Sequence, residues 1–343
     1  MREEASNPDE EQEELYEHHR IVADAGQKPL RVDKFLGNLL PNTSRNKIQQ
    51  SAAAGNIRVN DQKVKSNYKV KPEDVVQIVL SYPPHETELI PQDIPVPLIH
   101  QDNDVIVVHK APGMVVHPGY GNRDGTLVNA LLYQFQNLPG LNKERPGLVH
   151  RLDRDTSGIM VIAANERAMA HLANQFFERT TERTYWALVW GNIDEESGTI
   201  TGNIGRSPKN RKIYQVYPDG DQGKHAVTHW RVLERLGYVT LVECKLETGR
   251  THQIRVHMKH IGHTLFNDKE YGGDKILKGT TFTKYKQFVE NCFSICPRQA
   301  LHAKTLGFEH PSTGERLSFD SDLPEDMKAL VEKWRNYSHH SQG

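Results

Sequence analysis

Ile159-Met160-Val161-Ile162-Ala163 is an unbroken apolar run of strand length. Immediately ahead of it stands Gly147-Leu148-Val149-His150-Arg151-Leu152-Asp153-Arg154-Asp155-Thr156-Ser157-Gly158. A run this short with no polar face reads as a buried strand. The glycine-bounded segment before it holds two carboxylates among two arginines and a histidine, far more charge than a turn requires. Asp153 lies between Arg151 and Arg154. Neighbouring cations favour the charged form of a carboxylate, which suits a nucleophile or base better than an acid.

The chain has 343 residues, enough for two domains and a sizeable core. Cys244, Cys292 and Cys296 form no framework spacing, which points to a reducing compartment and ordinary thiols. Cys292 and Cys296 are spaced C-x3-C with no second ligand pair, and His257 and His260 lack a carboxylate at ligand spacing, so no metal is expected. The first residues are acidic where a secretion signal is basic and then apolar. No apolar run approaches the roughly 20 residues of a membrane span, and a soluble cytoplasmic protein is the expectation.

A formal net charge of -1 conceals a polarised beginning. Residues 1–27 carry two Arg against nine Asp and Glu, a balance of -7, while residues 28–71 carry ten Lys and Arg against two Asp, a balance of +8. The acidic stretch 1–27 reads as a disordered tail with a transient helix near Leu15–Ala23. From Leu30 onward, Val32, Phe35, Leu36, Leu39 and Leu40 recur at helical spacing until Pro41. Ser44 is placed to cap a second helix, Arg45 to Ala54, which Gly55 ends. A hairpin follows, Ile57-Arg58-Val59 and Lys63-Val64 around Asn60-Asp61, and then a strand over Asp74–Leu80. Arg31, Lys34, Arg45, Lys47, Arg58 and Lys63 take polar positions of this module (residues 28–80), where they can meet phosphates. Residues 81–98, with five prolines, read as a stiff spacer.

The larger remainder, residues 99–337, begins with a hairpin, Leu98–Gln101 and Val105–Lys110, and a helix Leu127–Phe135 capped by Thr126. After the charged loop and its strand comes a helix from Asn165 to about Glu178, with Ala168, Leu172, Phe176 and Phe177 on its inner face. Strands are expected at Thr184–Val189, His225–Leu233 and Tyr238–Leu246, with a loop-rich stretch from 192. Tyr185 shares a strand face with Ala187 and on general grounds is a packing residue. Thr251 is placed to cap a helix on which His252, Arg255 and Lys259 lie along one side, offering cations to an anionic partner. Ile276–Ile295 reads as an insertion with its own short helix. Strands Ala300–Leu306 and Arg316–Phe319 precede a last helix, Pro324–Tyr337, packed through Met327, Leu330, Val331 and Trp334, and 338–343 form a tail. The fold class is α+β: a small ααβ domain, then a larger domain on a mainly antiparallel sheet with flanking helices and loops.

The block Arg31-Val32-Asp33-Lys34-Phe35-Leu36, Ser44-Arg45 and Gly55-Asn56-Ile57-Arg58-Val59-Asn60 resembles an S4 RNA-binding domain. Five later segments are together similar to the RluA family of pseudouridine synthases: the His117-Pro118-Gly119 turn, His150–Gly158, Arg183–Gly191, Thr248–His257 and Arg298–Ala303. With the S4 module in front, the chain resembles the RluC and RluD branch, which modifies large-subunit ribosomal RNA, and the resemblance covers Leu30 to about Tyr337. It implies an isomerase that breaks the C1′–N1 bond of a flipped-out uridine and joins C1′ to C5. No cofactor and no metal are required, and the partner is ribosomal RNA or the pre-ribosomal large subunit, met as a monomer. The resemblance places the catalytic aspartate on Asp153 and the tyrosine that packs on the uracil on Tyr185. The basic partner of the aspartate falls on Arg255, with Arg250 the other candidate. Arg151 becomes the side chain that fills the gap left by the flipped base, and Leu265 an apolar residue of the pocket floor. Arg250 and His252 complete the expected substrate contacts. Asp153 can attack C1′, attack C6 or deprotonate C2′, and the sequence leaves all three open.

Other classes fit less well. A non-catalytic S4-type RNA-binding or ribosome-assembly protein predicts decay at Asp153, Tyr185 or Arg255, and all three are present. A hydrolase using His150, Asp153 and Ser157 lacks the G-x-S-x-G elbow, and Asp153 with Asp155 alone is thin for a metal-dependent nuclease.

Overall fold

The computed structural model describes residues 16–40, 43–80, 89–119, 122–135, 138–139, 146–210 and 213–340. Pro41, the spacer residues 81–88 and residues 1–15 of the expected tail lie outside the described residues. The chain divides into two compact units, Met1–Thr87 and Glu88–Gly343.

In the first unit, β1 (Tyr16–Val22) and β2 (Leu30–Arg31) lead into α1 (Val32–Leu39) and α2 (Arg45–Ala53). β3 (Ile57–Val59), β4 (Gln62–Lys63), β5 (Lys69–Val70) and β6 (Val75–Leu80) follow. The helices form where apolar spacing places them: Val32, Phe35 and Leu36 of α1 and Ile48 and Ala52 of α2 share one core with Ile57, Val59 and Val76. Ser44 caps α2 by accepting from Lys47 N at 3.3 Å, a contact worth about 1 kcal/mol. Asn60 and Asp61 are both left-handed, with φ of 50° and 64°, which lets a two-residue turn join twisted antiparallel strands.

Strand β1 is a correction to the sequence reading. Part of the stretch expected to be disordered or transiently helical pairs antiparallel with β6. The pairing occupies an edge of β6 that would otherwise present open backbone groups, and it seats Ala23 and Ile21 in the core. Arg31 and Arg45 also do more than face solvent. Each forms an ion pair at 3.0 Å with Asp33, whose side chain is fully buried and accepts from Gln49 at 2.8 Å. Burial alone would raise the Asp33 pKa, but hydrogen bonds from Arg31, Gln49 and Arg45 outweigh it and hold the carboxyl well below the usual range. Arg45 and Gln49 therefore tie α2 to α1 through Asp33, and Arg31 braces the same carboxylate from the entry of α1, whereas Lys34, Lys47 and Lys63 are exposed and Arg58 is half-buried.

The second unit opens with the expected hairpin, β7 (Leu98–Gln101) and β8 (Val105–Lys110), then α3 (Leu127–Gln134), β9 (Ser157–Ala163), α4 (Glu166–Glu178) and β10 (Glu182–Trp190). β11 (Ser197–Arg206), β12 (Tyr214–Tyr217), β13 (Lys224–Arg235), β14 (Val239–Leu246) and α5 (Gln253–His260) follow. α6 (Thr283–Ile295), β15 (Leu301–Glu309), β16 (Arg316–Asp320) and α7 (Glu325–His340) complete it. One ten-stranded sheet runs β12-β11-β13-β14-β10-β15-β9-β8-β7, with β16 paired to β15. Every pair is antiparallel except β9 with β15, so the chain has the expected α+β class. Alternating residues of β8 and β9 feed opposite faces: Ile106, Val108, Met160 and Ile162 pack with α3, and Val105, Val107, Ile159 and Val161 pack with α4. α6 and α7 close a separate cluster over Leu188 and Trp190, using the predicted Met327, Leu330, Val331 and Trp334.

Three expectations change here. The loop-rich stretch after 192 contains β11 and β12. Only Ile200 and Ile204 of β11 are apolar and buried, so the strand is fixed by its pairing with β13 and not by any local run. Phe177 is 79% exposed, and Gln175 joins Ala168 and Leu172 on the buried side of α4, where its amide bonds the backbone of Glu309 in both directions. The second half of the spacer belongs to the second unit: Gln92 N donates to Asn129 O at 2.9 Å and Val96 is buried.

Two fully buried histidines set a pH dependence. His302 shares hydrogen bonds with Ser157 and Ser321, and His257 with Thr228. Burial pushes their imidazoles down to about 3 and about 4. Below about pH 6.5 the unfolded chain binds protons that the folded chain refuses. Their stabilising contribution is thus fully present above that pH and is lost as the pH falls towards 4. Chemical denaturation from pH 6.5 to 4.5 is expected to show stability falling by about 2–3 kcal/mol per pH unit for the pair. A flat profile over that window would contradict the neutral assignment.

Candidate active site

The charged loop is fixed at both ends by backbone and buried side chains. Gly147 has φ of 68°, and a Cβ there would come within 2.7 Å of Ala163 O and Ile162 Cγ2. Only glycine lets the loop start alongside the end of β9, where Gly147 O accepts from Ala163 N at 2.9 Å. At the other end, a Cβ on Gly158 would lie 2.2 Å from Ala303 O, so the close parallel approach of β9 and β15 requires that glycine too. Between them, Lys110 is fully buried and donates to the carbonyls of Ala111, Met114 and Arg154 at 2.8, 2.9 and 2.9 Å. Burial, with the charge of Arg298 next, pulls its amine down to about 7. Arg298 holds Asp155 O at 2.9 Å and is itself clamped by Asp326 through Nε and Nη2, at 2.7 and 3.0 Å. Asp153 is therefore carried on a loop with little freedom to move.

Helix α5 supplies its partner. Arg255 Nη1 lies 3.3 Å from Asp153 Oδ2, which selects Arg255 over Arg250 as the group paired with the aspartate. The guanidinium is nearly buried, and its Nε and Nη2 engage both oxygens of the fully buried Asp268 at 2.7 and 2.8 Å. Nη2 also donates to Glu270 at 2.5 Å, and the Tyr271 ring lies 4.8 Å from its carbon. Burial would lower the Arg255 pKa, but Asp268, then Asp153 and Glu270, raise it above its ordinary value. The cationic side of α5 is consequently not a solvated face. Its central charge is spent within the protein, with one nitrogen left for Asp153.

The start of α5 also differs from expectation. Thr251 does not cap it: His252 stands at the N-cap with φ of 56° and no side-chain cap. Its ring is instead hydrogen-bonded to Tyr271 Oη at 2.9 Å and lies 3.9 Å from Asp153. Gln253 stabilises the entry by accepting from Arg250 N and Thr248 Oγ1 at 2.9 and 2.7 Å.

These groups surround a cavity of about 390 Å³ whose lining includes Arg151, Asp153, Tyr185, Arg250, His252 and Arg255, a size typical of small-ligand sites. Tyr185 stands on β10, paired with Cys244 of β14 and Ala303 of β15, so its backbone cannot shift without disturbing the middle of the sheet. Burial raises its phenol pKa, partly opposed by Arg183 and aided by Asp153, and the hydroxyl is protonated at neutral pH. Arg151 is exposed and lines the cavity, while Arg250 is partly buried and donates to His225 O at 2.9 Å. Leu265 does not line it. The side chain is fully buried in the core with Tyr185 and Val189, and its backbone bridges to Val189; Leu246, Ile254 and Leu301 supply the apolar wall. Asp268 and Glu270 were missed in the sequence, where no local signal marks them as partners of an arginine on the preceding helix.

Residues 104–260 match the family model of RNA pseudouridylate synthases, and residues 30–76 match that of the S4 domain. A protein of Chlorobaculum parvum named uncharacterized RNA pseudouridine synthase is 47% identical over 320 residues, covering 92% of this chain and 97% of its own length. The ribosomal large subunit pseudouridine synthase D of Zymomonas mobilis is 40% identical over 311 residues, covering 88% and 92%. Among solved structures, human RNA pseudouridylate synthase domain containing 4 superposes with a TM-score of 0.55 at 26% identity, over 70% of this chain and 93% of its own. An aspartate paired to a buried arginine beside a strand tyrosine, behind an S4 module, thus belongs to a known lineage: the chain is a member of the RNA pseudouridylate synthase family.

Proposed function

We propose that the protein isomerises uridines in large-subunit ribosomal RNA, with Asp153 as nucleophile or base, Tyr185 packed on the flipped uracil and Arg255 holding the carboxylate. The observation that carries this reading is the Asp153–Arg255 contact of 3.3 Å at a cavity that Tyr185 also lines. In the reaction the C1′–N1 bond breaks, the uracil turns and C1′ joins C5. C5 loses its proton and N1 gains one, so no redox partner or group donor is consumed. A base in a stacked helix is out of reach of Asp153, so the nucleotide must leave the stack. Arg151, exposed at the cavity, is suited to fill the space it vacates. The exposed lysines of the S4 unit, Lys34, Lys47 and Lys63, with Arg31, Arg45 and Arg58, would meet phosphates and position the RNA without reading its sequence. The ribosomal target is supported by the name of the Zymomonas mobilis relative, and a monomer acting in the cytoplasm is part of the same reading. Among the described residues, no helix is long and apolar enough to cross a membrane.

The test is a pseudouridine map of ribosomal and transfer RNA from cells with and without the protein. One or a few large-subunit sites are expected to fall to background while transfer RNA is unchanged. Loss confined to transfer RNA would overturn the ribosomal assignment and leave the isomerase reading standing.

A further inference from the structure

Of the described residues lining the cavity, Asp153 is the only carboxylate, against five arginines. Four of those have an evident situation: Arg255 is ion-paired, Arg250 donates to a backbone carbonyl, and Arg151 and Arg179 are exposed. Arg183 is different. It is 8% exposed, lines the cavity, and its Nε has no hydrogen-bond partner among the described residues. No carboxylate pairs with it among the described residues. The Phe176 ring, 5.6 Å from its carbon, offers a cation–π contact, and His150, stacked on the same ring at 4.6 Å, is pushed down to about 3 by burial and then by Arg183. The imidazole is therefore neutral and adds no counter-charge. A buried guanidinium without an anion is unfavourable, and the one carboxylate of the cavity already faces Arg255.

We propose that Arg183 binds the phosphodiester flanking the target uridine, so that the RNA backbone is held in the cavity while the base turns. Three features support this. Arg183 and Tyr185 are two residues apart on β10 and so project from the same face, about 7 Å apart along the strand. That spacing suits one nucleotide, with its base on the tyrosine and its phosphate on the arginine. The residue facing Arg183 from the α5 entry is Gly249, where a Cβ would lie 2.7 Å from Arg183 Nη1. A side chain there would displace the tip of the guanidinium. Finally, a planar guanidinium suits phosphate oxygens through paired N–H donors. The inference rests on RNA entering this cavity, as in the proposed function.

The experiment uses a synthetic RNA stem-loop built around a uridine that the wild-type protein converts, with the phosphodiester on its 5′ or 3′ side replaced by a neutral methylphosphonate. Use of an RNA already converted separates failure here from failure of the isomerase assignment. Replacement on one of the two sides is expected to lower wild-type kcat/KM by about tenfold to a hundredfold, the scale of a charge-assisted hydrogen bond. Arg183→Gln should lose the same factor on unmodified RNA and nothing further on the neutral one. Arg183→Lys should recover part of the loss, and Gly249→Ala should weaken conversion while keeping the charge. The proposal fails if neither replacement costs the wild-type protein more than about threefold, a change too small for such a contact. It fails equally if Arg183→Gln remains as sensitive to the replacement as the wild type. If Arg183→Gln does not fold, the wild-type arms can still refute the proposal, and Arg183→Lys on the same two RNAs assigns the contact: a sensitivity to the replacement equal to that of the wild type at unchanged activity would overturn it.

Discussion

Asp153→Asn is expected to abolish pseudouridine formation while leaving RNA affinity within about threefold of wild type, since phosphate contacts elsewhere dominate binding. The substitution keeps the shape of the side chain and removes the negative charge that Arg255 holds at 3.3 Å. An amide can neither attack as an anion nor accept a proton usefully, so the rate should fall by at least about 10²–10⁴-fold, the contribution of one proton-transferring group. Folding should survive, because Asp153 is partly exposed and Arg255 retains Asp268 and Glu270. Single-turnover conversion of uridine in ribosomal RNA, with affinity measured in parallel, separates the two effects. Conversion near the wild-type rate would remove Asp153 from the reaction.

Asp268→Asn should have the second largest effect, and it should reach both stability and rate. Asp268 is fully buried and takes two hydrogen bonds from Arg255. With its charge gone, the guanidinium stays in the interior with Glu270 and Asp153, both partly exposed, as its counter-ions. Breaking a buried pair in this way costs about 3–5 kcal/mol, chiefly through the charge left behind. The remaining pull on Arg255 is towards Asp153 and the cavity, so the carboxylate loses its fixed position. We expect kcat to fall by about a hundredfold with little change in KM, in line with loss of preorganisation at the reacting group. Denaturant titration and steady-state kinetics on the same preparation test both parts. Unaltered kcat with reduced stability would confine Asp268 to a structural role.

Helix and turn positions in this chain were legible wherever they are set by neighbours in sequence. Ser44 and Thr126 cap the helices they were expected to cap, and Asn60-Asp61 turns the hairpin, because caps and tight turns are satisfied within a few residues. The apolar runs at Val105–Lys110 and Ile159–Ala163 became the paired strands β8 and β9, covered on both faces near the β7 end of the sheet. β1 and β11 were not legible. Their residues carry no strand pattern of their own, and each is held by a partner strand that local reasoning cannot see.

The site divides the same way. By itself the sequence determined that Asp153 sits in a charged loop ahead of a buried strand, and its motifs marked Tyr185 and Arg255. Tertiary structure alone decided what surrounds them. Asp153 and Arg255 are 102 residues apart, and their contact depends on how β9 and α5 are placed around the sheet. Burial turned Arg255 from one cation on an amphipathic face into the centre of a three-carboxylate cluster. It also sent Leu265 into the core and left Arg183 in the cavity with no counter-ion among the described residues. Whether a charge is solvated, paired or waiting for a ligand depends on the dielectric and the partners around it, and those are properties of the folded chain.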